Sequence, residues 1–149
     1  MISPRQWAFF IVLVLSLTLA LWKGNKPERF GAAIFLSMVA LQYASRLFEP
    51  RVFAHVDLAS VVVDLYALVS FGAVAVYSTR IWPIWAASLQ LLSLISHFVR
   101  EVDAGVEPLV YAMMKSGPTF FALAALLLGT LLRIHRSRMG QPDVPWKDW

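Results

Sequence analysis

Asp57 and Asp64 stand at the head and inside of an otherwise apolar stretch, residues 57–77. A carboxylate within hydrocarbon must be paired, protonated or set in a wet cavity, because insertion scales charge it ~2.5–3.5 kcal/mol at mid-membrane. Such a residue marks a candidate site. Other polar residues repeat at helical spacing: Asp57, Ser60 and Asp64 at i, i+3 and i+7, and Gln90, Ser93, His97 and Glu101 at i, i+3, i+7 and i+11. Gln42 and Arg46 add an i, i+4 pair. Each set forms a single stripe on its helix, and such stripes turn inward rather than toward lipid.

The chemistry open to them is binding of a proton, cation or polar solute, or an ion pair that locks helices together. Asp64, Arg46, His97, Gln90, Asp57 and Gln42 are therefore the candidate ion- or solute-binding residues. They are expected to line a polar cleft in one leaflet, with Arg46, Asp64 and His97 around it and the glutamines beneath. No catalytic residue is assigned. Ser93 and His97 lie one turn apart on one helix, which alone does not make a nucleophile and its base. The sequence holds no phosphate-binding loop, dinucleotide turn, serine elbow or zinc-protease helix motif. No metal site or cofactor is expected: His55, Asp57, His97, Glu101 and Asp103 show no ligand spacing, and His55 sits in a loop rather than on a facing helix as a bis-histidine haem would require.

The elements that must position these residues are membrane-spanning helices. The chain of 149 residues is 59% hydrophobic and 15% charged, with a mean hydropathy of +0.66, which excludes an ordinary soluble domain. It has no cysteine, so neither disulfides nor thiolate metal sites are available. Five apolar runs, at about 6–23, 30–48, 57–78, 82–99 and 118–135, are each long enough to cross ~30 Å of hydrocarbon as a helix. Short polar connectors make successive helices antiparallel neighbours. The expected fold is all-α: a compact bundle of about five transmembrane helices forming one domain over 1–138, with a cytoplasmic tail at 139–149. Residues 108–114 are too short to span and predict an interfacial or re-entrant helix, ended by a break at Ser116, Gly117 and Pro118.

Basic residues set the orientation. Lys23, Lys26, Arg29, Arg80, Arg133, Arg136, Arg138 and Lys147 fall on one side and Arg5, Arg46, Arg51, Arg100 and Lys115 on the other, placing the N-terminus outside and the C-terminus in the cytoplasm. The first run reads as a retained helix rather than a cleaved leader, because its basic charge follows it. Trp7 and Trp22 bracket that helix, and Trp82 and Trp85 are expected to anchor the fourth at the headgroup layer. The tail, with two prolines and two tryptophans, predicts a non-helical segment lying on the membrane surface or in a partner's groove. Ala40 with Ala44, and Ala125 with Gly129, are small residues four apart that permit close helix approach.

Three functions fit these features. The foremost is a non-catalytic accessory or structural subunit of a larger inner-membrane assembly, since almost no mass lies outside the membrane. The second is a homo-oligomeric small transporter or channel with a proton- or cation-sensitive site at Asp64, Arg46 and His97. The third is a membrane enzyme acting on a lipid or quinone. The expected partners are the lipid bilayer and other membrane subunits or further copies of the chain, and nucleic acid is not among them. The compact design suggests a bacterial inner membrane.

Overall fold

A computed structural model describes residues 3–48, 58–102, 105 and 107–148, and within these not the side chains of 46, 48, 100, 101, 108, 109 and 111–116. Five helices run in order: α1 (Pro4–Lys23), α2 (Lys26–Phe48), α3 (Leu58–Tyr77), α4 (Trp82–Val102) and α5 (Pro108–Arg138). Among the described residues there is no strand, only an isolated bridge between Ser78 and Trp146. Four helices are long and apolar enough to cross a membrane, namely α1, α3, α4 and the 117–138 part of α5. The described part of α2 is not among them, having Lys26, Glu28 and Arg29 in its opening turn.

Local chemistry fixes the helix starts. Ser3 caps α1 with a reciprocal box: its hydroxyl accepts from the Gln6 amide and the Gln6 side chain accepts from the Ser3 amide at 2.8 Å. Pro4 follows in the first turn, where its missing N–H costs nothing. Between α1 and α2 the chain turns at Gly24, where a Cβ would stand 2.1 Å from the Ala20 carbonyl oxygen. Only glycine fits there. Asn25 then accepts from the Lys26 amide through its side chain, and Glu28 reaches back to the Asn25 amide at 3.0 Å.

The helices alternate in direction, so one end of the bundle gathers the N-terminus and the other the tail. α4 packs most extensively on α5 and α3; α1 lies on α5, α2 lies on α3, and α1 meets α2 more lightly. The core runs through Phe35, Phe71, Trp82, Leu123 and Leu126. Phe71 meets Phe35 in a tilted pair at 5.0 Å between centroids and Trp82 edge-on at 6.1 Å, so three rings join α2, α3 and α4. Ser16 ties α1 to α5 by donating to the Leu123 carbonyl at 3.3 Å.

Four expectations change. Residues 108–114 are the opening turns of α5, not a separate interfacial helix, and Pro118 lies inside that helix. Proline removes one backbone donor, and within a membrane bundle neighbouring groups tolerate the break, so the Ser-Gly-Pro signal does not end the helix. Trp82 is no interfacial anchor: it is 5% exposed while Trp85 is 63% exposed. Its indole fills the space that glycine leaves, since a Cβ on Gly31 would lie 2.3 Å from one edge of the ring and a Cβ on Gly129 2.4 Å from the other. Of the paired small residues, Gly129 thus receives a tryptophan from α4, while Ala40 is exposed. The tail folds back on its own bundle: the Thr79 amide donates to the Pro145 carbonyl at 3.1 Å, the Lys147 amide donates to the Tyr77 carbonyl at 2.8 Å, and Trp146 packs edge-on against Phe30.

Candidate functional site

Asp64 lies on the buried face of α3, and the stripe on α4 meets it. Ser93 Oγ donates to Asp64 Oδ2 at 2.7 Å, and His97 Nε2 lies 3.0 Å from the same oxygen. With Asp64 ionised, the histidine ring nitrogen donates. The i, i+4 spacing of Ser93 and His97 puts both donors on one helical face, so a single carboxylate receives them. All three side chains are buried. The order of contacts is not that of a Ser–His–Asp triad: the serine hydroxyl donates its hydrogen bond to the carboxylate, not to the histidine. Among the described residues no three histidine or acidic side chains converge as metal ligands.

Asp64 also forms part of the wall of a half-open cleft of about 850 Å³. The cleft lies at the N-terminal end of the bundle, between the first half of α1, the last half of α2, the first half of α3 and α5 near Gly117. Its walls are largely apolar and aromatic, from Phe9, Phe10, Leu13, Met38, Val63 and Phe120. Arg5, Gln6, Gln42 and Tyr43 contribute polar groups along with Ser60 and Thr119.

The candidate residues separate accordingly. Asp64 and His97 come together as hydrogen-bonded partners, and Gln42 lines the cleft that Asp64 faces. Gln90 lies one helical turn before Ser93, fully buried, and neither of its amide heteroatoms has a hydrogen-bond partner among the described residues. Asp57 and the side chain of Arg46 lie outside the described residues, as do His55, Asp103 and the side chain of Glu101. The aromatic wall was missed by sequence reasoning, although Arg5, Phe9 and Leu13 repeat at i, i+4 and i+8 on α1.

A second cluster of charge sits at the tail end. Glu28, fully buried in the first turn of α2, is in ion-pair contact with Arg80 at 3.0 Å between Oε1 and Nε, though without an aligned hydrogen bond between these atoms. Arg80 also pairs with Asp143 of the tail. Asp143 further accepts from Asn25 at 2.8 Å and from Arg133 at 3.2 Å, and Arg133 donates to the Lys23 carbonyl. Burial alone would raise the Asp143 pKa, but the hydrogen bonds from Asn25, Arg80 and Arg133 and the charge of Arg80 outweigh it and hold the carboxyl below its ordinary value. The sequence treats these residues as connector and topogenic charge. The one legible sign was Asn25 with Glu28 three residues on, a helix-start pair.

No protein-family model, no curated protein and no solved structure matches the chain.

Proposed function

We propose that the chain works in a membrane as a small transporter, as a homo-oligomer, with a proton- or cation-sensitive site at Asp64, in the inner wall of the cleft, and its hydrogen-bond partner His97. The observation that carries this reading is the placement of one buried carboxylate. It is held by a neutral hydroxyl and a titratable imidazole, and at the same time it borders a cleft large enough for a small molecule. The pair joins a carboxylate to an imidazole, the side chains most used for proton transfer, and the carboxylate is the member that lines the cleft. Arg5 and Tyr43 are the other titratable groups along that cleft, and Gln42 offers a neutral amide.

The accessory-subunit reading draws on the small extramembrane mass and on a tail free to dock elsewhere. The tail's contacts with α3 and the α3–α4 turn remove the second of these supports. The bias of basic residues argues for a cleft on the outer side of a bacterial inner membrane, with the tail in the cytoplasm; a reporter fused after Trp149 is then active only in the cytoplasm.

The test of function uses proteoliposomes holding a pH-sensitive dye, with a potassium diffusion potential as driving force. Wild-type protein is expected to acidify the lumen, and Asp64→Asn to reduce the rate to that of empty vesicles. Equal rates for the two proteins would overturn the transport reading.

A further inference from the structure

We infer that the cleft binds an apolar organic cation, with the Asp64 carboxylate as its counter-charge and the surrounding aromatic rings as its walls; this rests on the reading of Asp64 as a functional site. Three observations converge on that ligand chemistry. First, both side-chain hydrogen bonds to Asp64 among the described residues end on Oδ2, and the residue itself lines the cleft. Its negative charge is held in place but not enclosed. Second, Phe9, Phe10, Tyr43 and Phe120 all line the same space. Aromatic faces attract a cation through their quadrupole, and the attraction grows when water is excluded. Third, the volume of about 850 Å³ suits an organic molecule rather than a bare metal ion, and the largely apolar walls offer no oxygen cage to replace a small ion's hydration shell.

An anionic amphipath would meet Arg5 favourably but would bring a second negative charge toward Asp64. Arg5 is exposed, whereas Asp64 is buried, so water screens the arginine more than the carboxylate. The sign of the buried charge therefore decides the sign of the ligand. A neutral apolar molecule would fill the walls and make no use of the charge on the acid.

The experiment compares two probes of closely similar size and shape and opposite charge, tetraphenylphosphonium and tetraphenylborate. Binding to the full chain in zwitterionic lipid nanodiscs is followed by equilibrium dialysis, with empty discs as the reference for partitioning. Tetraphenylphosphonium is expected to bind saturably, and tetraphenylborate about tenfold or more weakly, because one charge of the wrong sign beside a poorly hydrated carboxylate is costly. Asp64→Asn is expected to remove most of this preference, and Phe120→Ala to weaken the cation several-fold while leaving the preference in place. Equal or tighter binding of tetraphenylborate to the wild-type chain would overturn the inference without any variant having to fold. So would tetraphenylphosphonium binding that Asp64→Asn leaves unchanged. Absence of the cation preference in the wild-type chain, with Asp64-dependent proton flux intact, would sink this inference and leave the transport reading standing. Cation binding with no Asp64-dependent flux would do the reverse.

Discussion

The two ends of the bundle both bury a carboxylate, and they treat it in opposite ways. At the tail end, Glu28, Arg80, Asp143 and Arg133 form a chain of alternating sign that joins α2, the α3–α4 turn, the tail and α5. Each acid there is answered by a permanent guanidinium charge, and the tail lies over the network. At the other end, Asp64 is answered by the hydroxyl of Ser93 and the imidazole of His97, and it borders an open cleft. A guanidinium brings a full charge to its carboxylate, whereas a hydroxyl brings a hydrogen bond alone. The tail end closes its charges among themselves, and the other end leaves a carboxylate at the border of an open space.

The strongest way to break this contrast is at Arg80. Arg80→Met leaves the buried Glu28 without its counter-charge, and stability in detergent is expected to fall by ~3–5 kcal/mol. Adding Glu28→Gln should recover a large part of that loss, as read by thermal or denaturant unfolding. If the double variant is no more stable than Arg80→Met alone, the pair is not what holds this end together.

Packing beside the network gives a smaller effect. Gly129→Ala would place a methyl 2.4 Å from the Trp82 ring, which Gly31 already confines on its other edge. The expected cost is ~1–3 kcal/mol with a change in tryptophan emission. Gly72→Ala in the middle of α3 meets nothing within 4 Å and is expected to gain ~0.5–1 kcal/mol from the lower entropy of the unfolded chain. A Gly129→Ala variant as stable as the wild-type chain would contradict the packing assigned to Trp82.

The smallest effect concerns acid. Asp143 has its pKa held below the ordinary 3.8, so its contribution to holding the tail is complete above that value and fades as pH falls through the lower, folded-state value. Release of the tail, followed by protease cleavage near Trp146, is expected only in strong acid, and Asp143→Asn should remove the pH dependence. Release that begins near neutral pH would assign the latch to some other group.

Much of this was readable before the fold. The stripe at Gln90, Ser93 and His97 and the acid at Asp64 were evident from spacing, because a helix repeats its faces every three to four residues and lipid tolerates no bare charge. The aromatic wall of the cleft was not, since Phe9 and Phe120 in apolar runs look like any other lipid-facing or core residue. Pro118 misled for a related reason: its local effect is to end a helix, and the surrounding bundle overrode it. Trp82 misled because tryptophan at a helix start reads as an interfacial anchor, and only the two glycines on other helices reveal the slot it fills.

The sequence by itself determined that the chain is helical and greasy enough to cross a membrane, and that Asp64 and the stripe of Gln90, Ser93 and His97 face inward. These follow from length, hydropathy and periodicity, which are properties of contiguous segments. Only the tertiary structure decided which partner each inward-facing residue meets: Ser93 and His97 for Asp64, Arg80 for Glu28, and Asn25, Arg80 and Arg133 for Asp143. Those pairings join residues 29 to 118 positions apart or in neighbouring elements, and they depend on how helices are rotated and stacked. No local pattern encodes that rotation; it is set by the summed packing of rings, glycines and small side chains across the whole bundle.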